Sequence, residues 1–271
     1  MRLQQNTTAP PGANTSFSQS NTKLGRVAAI NHIVDVYRNS KPRSAMYRLF
    51  EVFQQIYNKY KQTNNPDTLR YLYALILRTH HGNRMPWYNT KEAVDKLKQS
   101  NILFAKITDF ELLHAEITKL FKNISFASGP LTRYDVSVNI GQLLCPKVEP
   151  QKHVYLTAGA MAGAVKLTNA SSYNYTEPVA DWQTADRFPG VASMDIEDIL
   201  CIFEPILEKL GKGLDVTAQE IEDVWNKKTC IFRYFGKEYA ISRMNNAVKP
   251  KKKKIKGAYQ SIHNNANILN S

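Results

Sequence analysis

The sequence predicts an all-α, mainly helical protein with one small β-hairpin near its C-terminus, and three observations carry that expectation. Apolar residues recur at i, i+3, i+4 and i+7 in one stretch after another, the period of a helix with a single buried stripe. Between the stretches stand Pro, Gly and Asn clusters rather than the period-two runs of strands. Only residues 229–242 alternate, with Gly236-Lys237 at the turn of a hairpin that would be the one sheet. With 271 residues and 43% hydrophobic content, the chain can bury a substantial core in one large domain or two small ones.

Residues 1–22 are rich in Gln, Asn, Thr and Ser and nearly without large apolar side chains, so they read as a disordered tail. A helical domain spans 23–245, and residues 246–271 form a basic disordered tail. The first helix covers about Lys23–Tyr37, with Ile30, Ile33 and Val34 as its stripe and a break at Ser40-Lys41-Pro42. The next runs from Ser44 to Lys61. Five aromatics there (Tyr47, Phe50, Phe53, Tyr57 and Tyr60) interleave with Arg48, Lys59 and Lys61; stacking on nucleic-acid bases is one reading and core packing the plainer one.

Asn65-Pro66-Asp67 starts a helix that continues through Thr79. His80 to Tyr88 is read as a loop carrying Arg84, Trp87 and Tyr88; the His80-His81 pair has no acid or cysteine at ligand spacing and is read as part of a polar cap. A short basic helix, Lys91–Gln99, follows. Thr108 and Glu111 have the spacing of a capping box before Phe110, Leu113, Ile117, Leu120 and Phe121. His114, in that helix, has no visible partner and is read as structural.

From Ser125 to Leu144 the pattern is helix, Gly129-Pro130 turn, helix. Thr132 is the expected cap of the second helix and Asp135 the acid of its first turn, with Val136, Ile140, Leu143 and Leu144 as the stripe. Two helices joined by such a hairpin can aim free backbone N–H groups at an anion. An ordinary αα-turn is the plain structural alternative.

Further on, Gly159, Ala160, Ala162 and Gly163 lack bulk and suit close helix packing better than a phosphate loop, since no Gly-Lys-Ser/Thr follows. Residues 168–192 read as a long polar, aromatic surface loop. Ser193 is the expected cap of a helix whose first turn carries Asp195, Glu197 and Asp198, acids that the dipole favours there and that bind Mg²⁺ in other settings. Thr217 and Glu220 match a second capping box.

Charge is segregated. Residues 23–106 hold 15 Lys/Arg against 5 Asp/Glu, residues 107–165 hold 5 against 5, residues 166–228 hold 6 against 12, and residues 229–271 hold 9 against 1. A net +13 distributed this way points to a polyanionic partner, because clustered cations release condensed counterions on binding. Three widely spaced cysteines, Cys145, Cys201 and Cys230, suggest neither a disulfide framework nor a zinc cluster and read as reduced. No apolar run reaches the roughly 18–20 residues of a membrane span, and no signal-peptide pattern opens the chain. An intracellular place follows as the expectation: cytoplasm, nucleoid, a eukaryotic nucleus, or a virion.

The blocks Gly129-Pro-Leu-Thr-Arg-Tyr-Asp135, Val154-Tyr-Leu-Thr-Ala-Gly159 and Asp195-Ile-Glu-Asp-Ile-Leu-Cys201 resemble those of a widespread group of uncharacterised bacterial helical proteins, over roughly Phe121 to Glu204. Ala127 stands where that group has glycine. The group in turn is similar to helix–hairpin–helix DNA-binding proteins, and the resemblance implies phosphate contact by the hairpin. The candidate nucleic-acid contacts are Ser128, Gly129, Leu131, Thr132 and Arg133 at the hairpin, Arg84 in the basic loop, and Lys251, Lys252, Lys253 and Lys254 in the tail. No catalytic residue, metal ligand or cofactor is assigned. The function expected is that of a DNA-associated binding protein; the alternatives are a helix–hairpin–helix glycosylase or lyase, and a structural or viral assembly protein with a basic surface.

Overall fold

The computed structural model describes residues 22–40, 45–79, 87–124, 129–145 and 148–227. They are mainly helical and pack around two hydrophobic cores. The expected hairpin at 229–242 and both tails lie outside the described residues, apart from Thr22.

The first core is built from α2 (Ala45–Thr63), α3 (Pro66–Thr79), α4 (Trp87–Phe104), α5 (Phe110–Phe121) and α6 (Pro130–Leu143). Helix α3 is its axis. Tyr71 through Leu77 are buried on every side, which a helix tolerates when neighbours surround it, and α2, α4 and α6 do so. Asn64 turns the chain into α3 with a left-handed φ of 50°, a conformation asparagine adopts more readily than most residues. The Asn65 side chain then accepts the Asp67 N–H at 2.9 Å. Phe53 is buried and Phe50, Tyr57 and Tyr60 pack against the same core, so the aromatic series of α2 is packing rather than a stacking surface.

Helix α4 is longer than the Lys91–Gln99 segment expected. It begins at Trp87, directly after Pro86, so Trp87 and Tyr88 belong to a helix rather than a loop. It extends to Phe104, whose fully buried ring rewards the extra turn. Asp109, not Thr108, caps α5, its carboxylate accepting the Leu112 N–H at 3.1 Å.

The second core draws on both ends of the described chain. α1 (Arg26–Ser40) packs with α7 (Ala158–Thr168), α8 (Val179–Trp182), α9 (Ser193–Ile202), α10 (Glu204–Gly211) and α11 (Ala218–Lys227). The first core is therefore inserted between α1 and the rest of the second. Strand β1 (Lys23–Leu24) takes the place of the first turn expected of α1 and pairs antiparallel with β4 (Val216–Thr217). The Arg26 guanidinium donates to the carbonyls of Leu167 and Leu210, each at 3.2 Å, covering the C-terminal ends of α7 and α10. The capping box at Thr217 and Glu220 forms reciprocally, at 3.2 and 2.8 Å.

A second small sheet corrects the reading of 168–192 as a surface loop. β2 (His153–Tyr155) pairs antiparallel with β3 (Thr176–Pro178), so that Val154 faces Glu177. The following turn buries Trp182, Phe188 and Val191. Polar spacers hid these anchors from periodicity, since α8 has only four residues. The expectation of a single sheet at 229–242 fails with them.

The small residues of α7 do what close packing requires. A Cβ on Gly163 would collide with the Leu200 carbonyl of α9, and one on Gly211 with the Lys166 carbonyl. Ala192, rather than Ser193, is the cap of α9; the Ser193 hydroxyl instead donates to the His153 carbonyl, tying the helix to β2. Cys145 is buried and Cys201 half-buried, and both are free thiols.

Candidate nucleic-acid interface

Helix α6 starts earlier than the sequence suggested, and this moves every hairpin residue by most of a turn. Gly129 is the N-cap and Pro130 the first helical residue, with the Arg133 N–H bonded to the Gly129 carbonyl at 3.2 Å. Thr132 is therefore not the cap; it lies inside the first turn with its side chain buried. Asp135 likewise falls beyond the first turn, which holds no acid. Proline at the first position explains the shift, because its missing N–H costs nothing there.

With glycine as cap, the cap residue offers no side chain to the leading N–H groups of α6. Gly129 has φ −65° and ψ 141°, an extended conformation open to any residue, and a Cβ there would meet nothing within 4 Å. Leu131 and Arg133 are half-exposed beside it. The Arg133 Nε is buried without a hydrogen-bond partner. Ser128, Arg84 and Lys251, Lys252, Lys253 and Lys254 lie outside the described residues.

Behind this helix end runs a hydrogen-bonded chain that the sequence did not reveal. Tyr175 donates to the Pro130 carbonyl at 3.1 Å and lies 3.3 Å from His114 Nε2. Ser137 Oγ lies 3.1 Å from His114 Nδ1 and 2.7 Å from the Arg133 carbonyl; with the Tyr175 proton on the Pro130 carbonyl, a ring with one N–H donates from Nε2 to Tyr175 and accepts from Ser137 at Nδ1. Both ends of the chain hold α6, so α5 and the β3 segment fix the position of its first turn. Burial, with the Arg133 charge adding to it, pulls the His114 imidazole down to about 4. It is neutral at pH 7 and serves as a hydrogen-bond relay, not as a general base. Phe110, Tyr134 and Tyr155 enclose it, with the Tyr155 ring centroid 4.8 Å from that of His114. Ser137 has no exposure at all, so this Ser–His pair cannot meet a substrate.

Tyr175 and Ser137 are the members sequence reasoning missed. Tyr175 was visible only as one aromatic in a polar run, and Ser137 only as a hydroxyl on a helix; their meeting is a tertiary fact. Among the described residues no group of three His, Cys, Asp or Glu side chains is placed to hold a metal ion. The acids Glu197 and Asp198 are not solvent-facing complements of a dipole; both are buried.

The two cores differ in charge and in how that charge is used. Residues 45–145 carry 13 Lys/Arg and 8 Asp/Glu, whereas residues 148–227 carry 6 and 13. Within residues 148–227 the lysines are neutralised: Lys166 by Glu204 and Glu208, Lys209 by Glu220, Lys212 by Glu208, and Lys227 by Asp223, while in the first core Lys91 is held by Asp95 and Lys96 by Glu92. Lys152 reaches across to Asp109 and Glu111 of α5. In the first core, Lys98, Lys106, Lys119 and Lys122 are exposed and have no carboxylate partner among the described residues. Lys61 lies over the Tyr57 ring at 5.1 Å. Among the described residues no helix is long and apolar enough to cross a membrane. No protein-family model, curated protein or solved structure matches the chain.

Proposed function

We infer that this chain is a nucleic-acid-associated binding protein whose first core meets the DNA phosphate backbone. The observation that supports this reading is a set of exposed lysines on the first core: Lys98, Lys106, Lys119 and Lys122 have no carboxylate partner among the described residues, whereas carboxylates hold the lysines of 148–227. An unpaired exposed lysine is strongly hydrated and mobile, and it gains most by exchanging a condensed counterion for a phosphate. The uncapped start of α6, with Arg133 one turn in, adds directed N–H donors to that field. The tail lysines 251–254 would add four further positive charges to it.

The test is a salt-dependent titration against duplex DNA, single-stranded DNA and RNA. Changing Lys251, Lys252, Lys253 and Lys254 together to Gln is expected to weaken binding to every sequence alike and to flatten the plot of log K against log salt by up to about 3–4 units. The same four-fold change at Lys98, Lys106, Lys119 and Lys122 is expected to act similarly. Salt-insensitive binding, or none, would remove the reading. Strand cleavage by the wild-type protein would replace it with the glycosylase or lyase alternative.

A further inference from the structure

Between the two cores lies a polar cluster with an unusual content. Glu197 and Asp198, adjacent on α9, are 5% and 6% exposed. Thr157, the cap of α7, donates its hydroxyl to Glu197 Oε1 at 2.5 Å. Tyr37 of α1 donates to Asp198 and lies 3.3 Å from Asp195. Tyr134 of α6, itself 2% exposed, brings a buried hydroxyl without a partner, and the carboxylates that act on it most are Glu197, Asp198 and Asp135.

Two ionised carboxylates cannot share so dry a site. Coulomb repulsion and lost hydration both act against the second charge. Glu197 and Asp198 are adjacent on α9 and both buried, so a single proton held by the pair relieves that repulsion. Thr157 donates to Oε1 of Glu197, so that oxygen is an acceptor and the other oxygen is the one free to carry hydrogen.

We propose that Glu197 is the protonated member of this buried pair, and that its neutral carboxyl closes the seam where α9 meets α1 and α6. Ionisation places a further negative charge beside Asp135, Asp195 and Asp198 and loosens that seam. Burial first, then the charges of Asp198 and Asp135, hold the Glu197 carboxyl well above its ordinary 4.5. The groups facing it are Tyr37 from α1, Tyr134 and Asp135 from α6, Asp195 from its own helix, and Tyr175 from the β3 segment. From α7 comes only the Thr157 hydroxyl, since Lys166 is held by Glu204 and Glu208. On β2, His153 faces Glu111 instead.

The test uses the full chain between pH 7.5 and 9, above the ordinary midpoint of histidine and below that of tyrosine. For wild type the unfolding equilibrium constant should rise by up to tenfold per pH unit until Glu197 ionises. Amides of α6 and α9 should lose hydrogen-exchange protection, corrected for the intrinsic rate, before those of α3. Glu197→Gln keeps the hydrogen bonds without the titration and should flatten both profiles. Wild type should also show a protonated-carboxyl infrared band at pH 7 that is absent from Glu197→Gln. Should that variant not fold, Asp198→Asn removes the other half of the pair, and the wild-type band and exchange order stand without either. Lack of the band, or parallel wild-type and variant profiles, overturns the proton; simultaneous loss of protection in α3 and α9 overturns the seam.

Discussion

Replacing Trp182 with alanine is expected to cost about 3–5 kcal/mol, the range for truncating a large buried aromatic. The side chain has no exposure, packs 5.4 Å from the Tyr173 ring, and carries the Arg187 guanidinium over its face at 5.0 Å. Its carbonyl also accepts the Phe188 N–H at 2.9 Å, so the turn that buries Phe188 and Val191 is organised around it. A cavity here opens in the second core, where α7, α9 and α10 are already in backbone contact and have little room to collapse. Since small domains hold only about 5–15 kcal/mol in total, the variant should be marginal at best. Trp182→Phe should cost under about 2 kcal/mol, because the indole Nε1 it removes has no hydrogen-bond partner. Urea midpoints at an unchanged slope measure both. A Trp182→Ala protein as stable as wild type would return residues 168–192 to the surface.

His114 governs the acid limb of stability. Its folded value of about 4 lies below its ordinary 6.5, so between those values the folded state binds fewer protons than the unfolded chain. Stability therefore rises with pH across that window and falls as pH drops toward 4, by about 3 kcal/mol in all. His114→Gln can keep contacts to Ser137 and Tyr175 without the proton, and should remove this rising contribution. Glu197 acts in the opposite sense: its carboxyl is raised, so its contribution is complete below 4.5 and lost as pH rises. Wild type should thus show a muted profile between 4.5 and 6.5, and His114→Gln a falling one. Denaturant midpoints at unit pH intervals distinguish them, and identical acid limbs in the two proteins would contradict the buried neutral imidazole.

Much of the helical layout was legible because one physical signal, a 3.6-residue apolar period, dominates it. α3 was read from Asn65 to Thr79 because proline, an Asx cap and a clean stripe agree. Helix boundaries were less legible where two caps competed: Thr108 lost to Asp109 and Thr132 to Gly129, because backbone entry angle rather than residue type selects the cap. The segment 168–192 failed as a reading because strands of three residues and a four-residue helix are too short to show a period. Of the candidate interface, a helix following the Gly129-Pro130 turn and the basic excess were visible in the sequence. The His114–Tyr175–Ser137 chain was not, since its members stand 61 and 23 residues apart. Nor was the burial of Glu197 and Asp198, because acids in a helix's first turns satisfy the dipole equally well facing water.

The sharpest test of the interface is Gly129→Asp, since fold and binding should move in opposite directions. The backbone at Gly129 is ordinary and the space beside it empty, and aspartate is a better cap than glycine, so the fold should gain a few tenths of a kcal/mol. The same carboxylate would occupy the N–H groups offered to phosphate and repel the phosphate itself. Binding to duplex DNA should weaken by about 1–3 kcal/mol, with the salt slope changing by about one unit. A folded Gly129→Asp protein that binds DNA like wild type at every salt concentration would contradict the role of α6 and leave the lysines as the whole of the interaction.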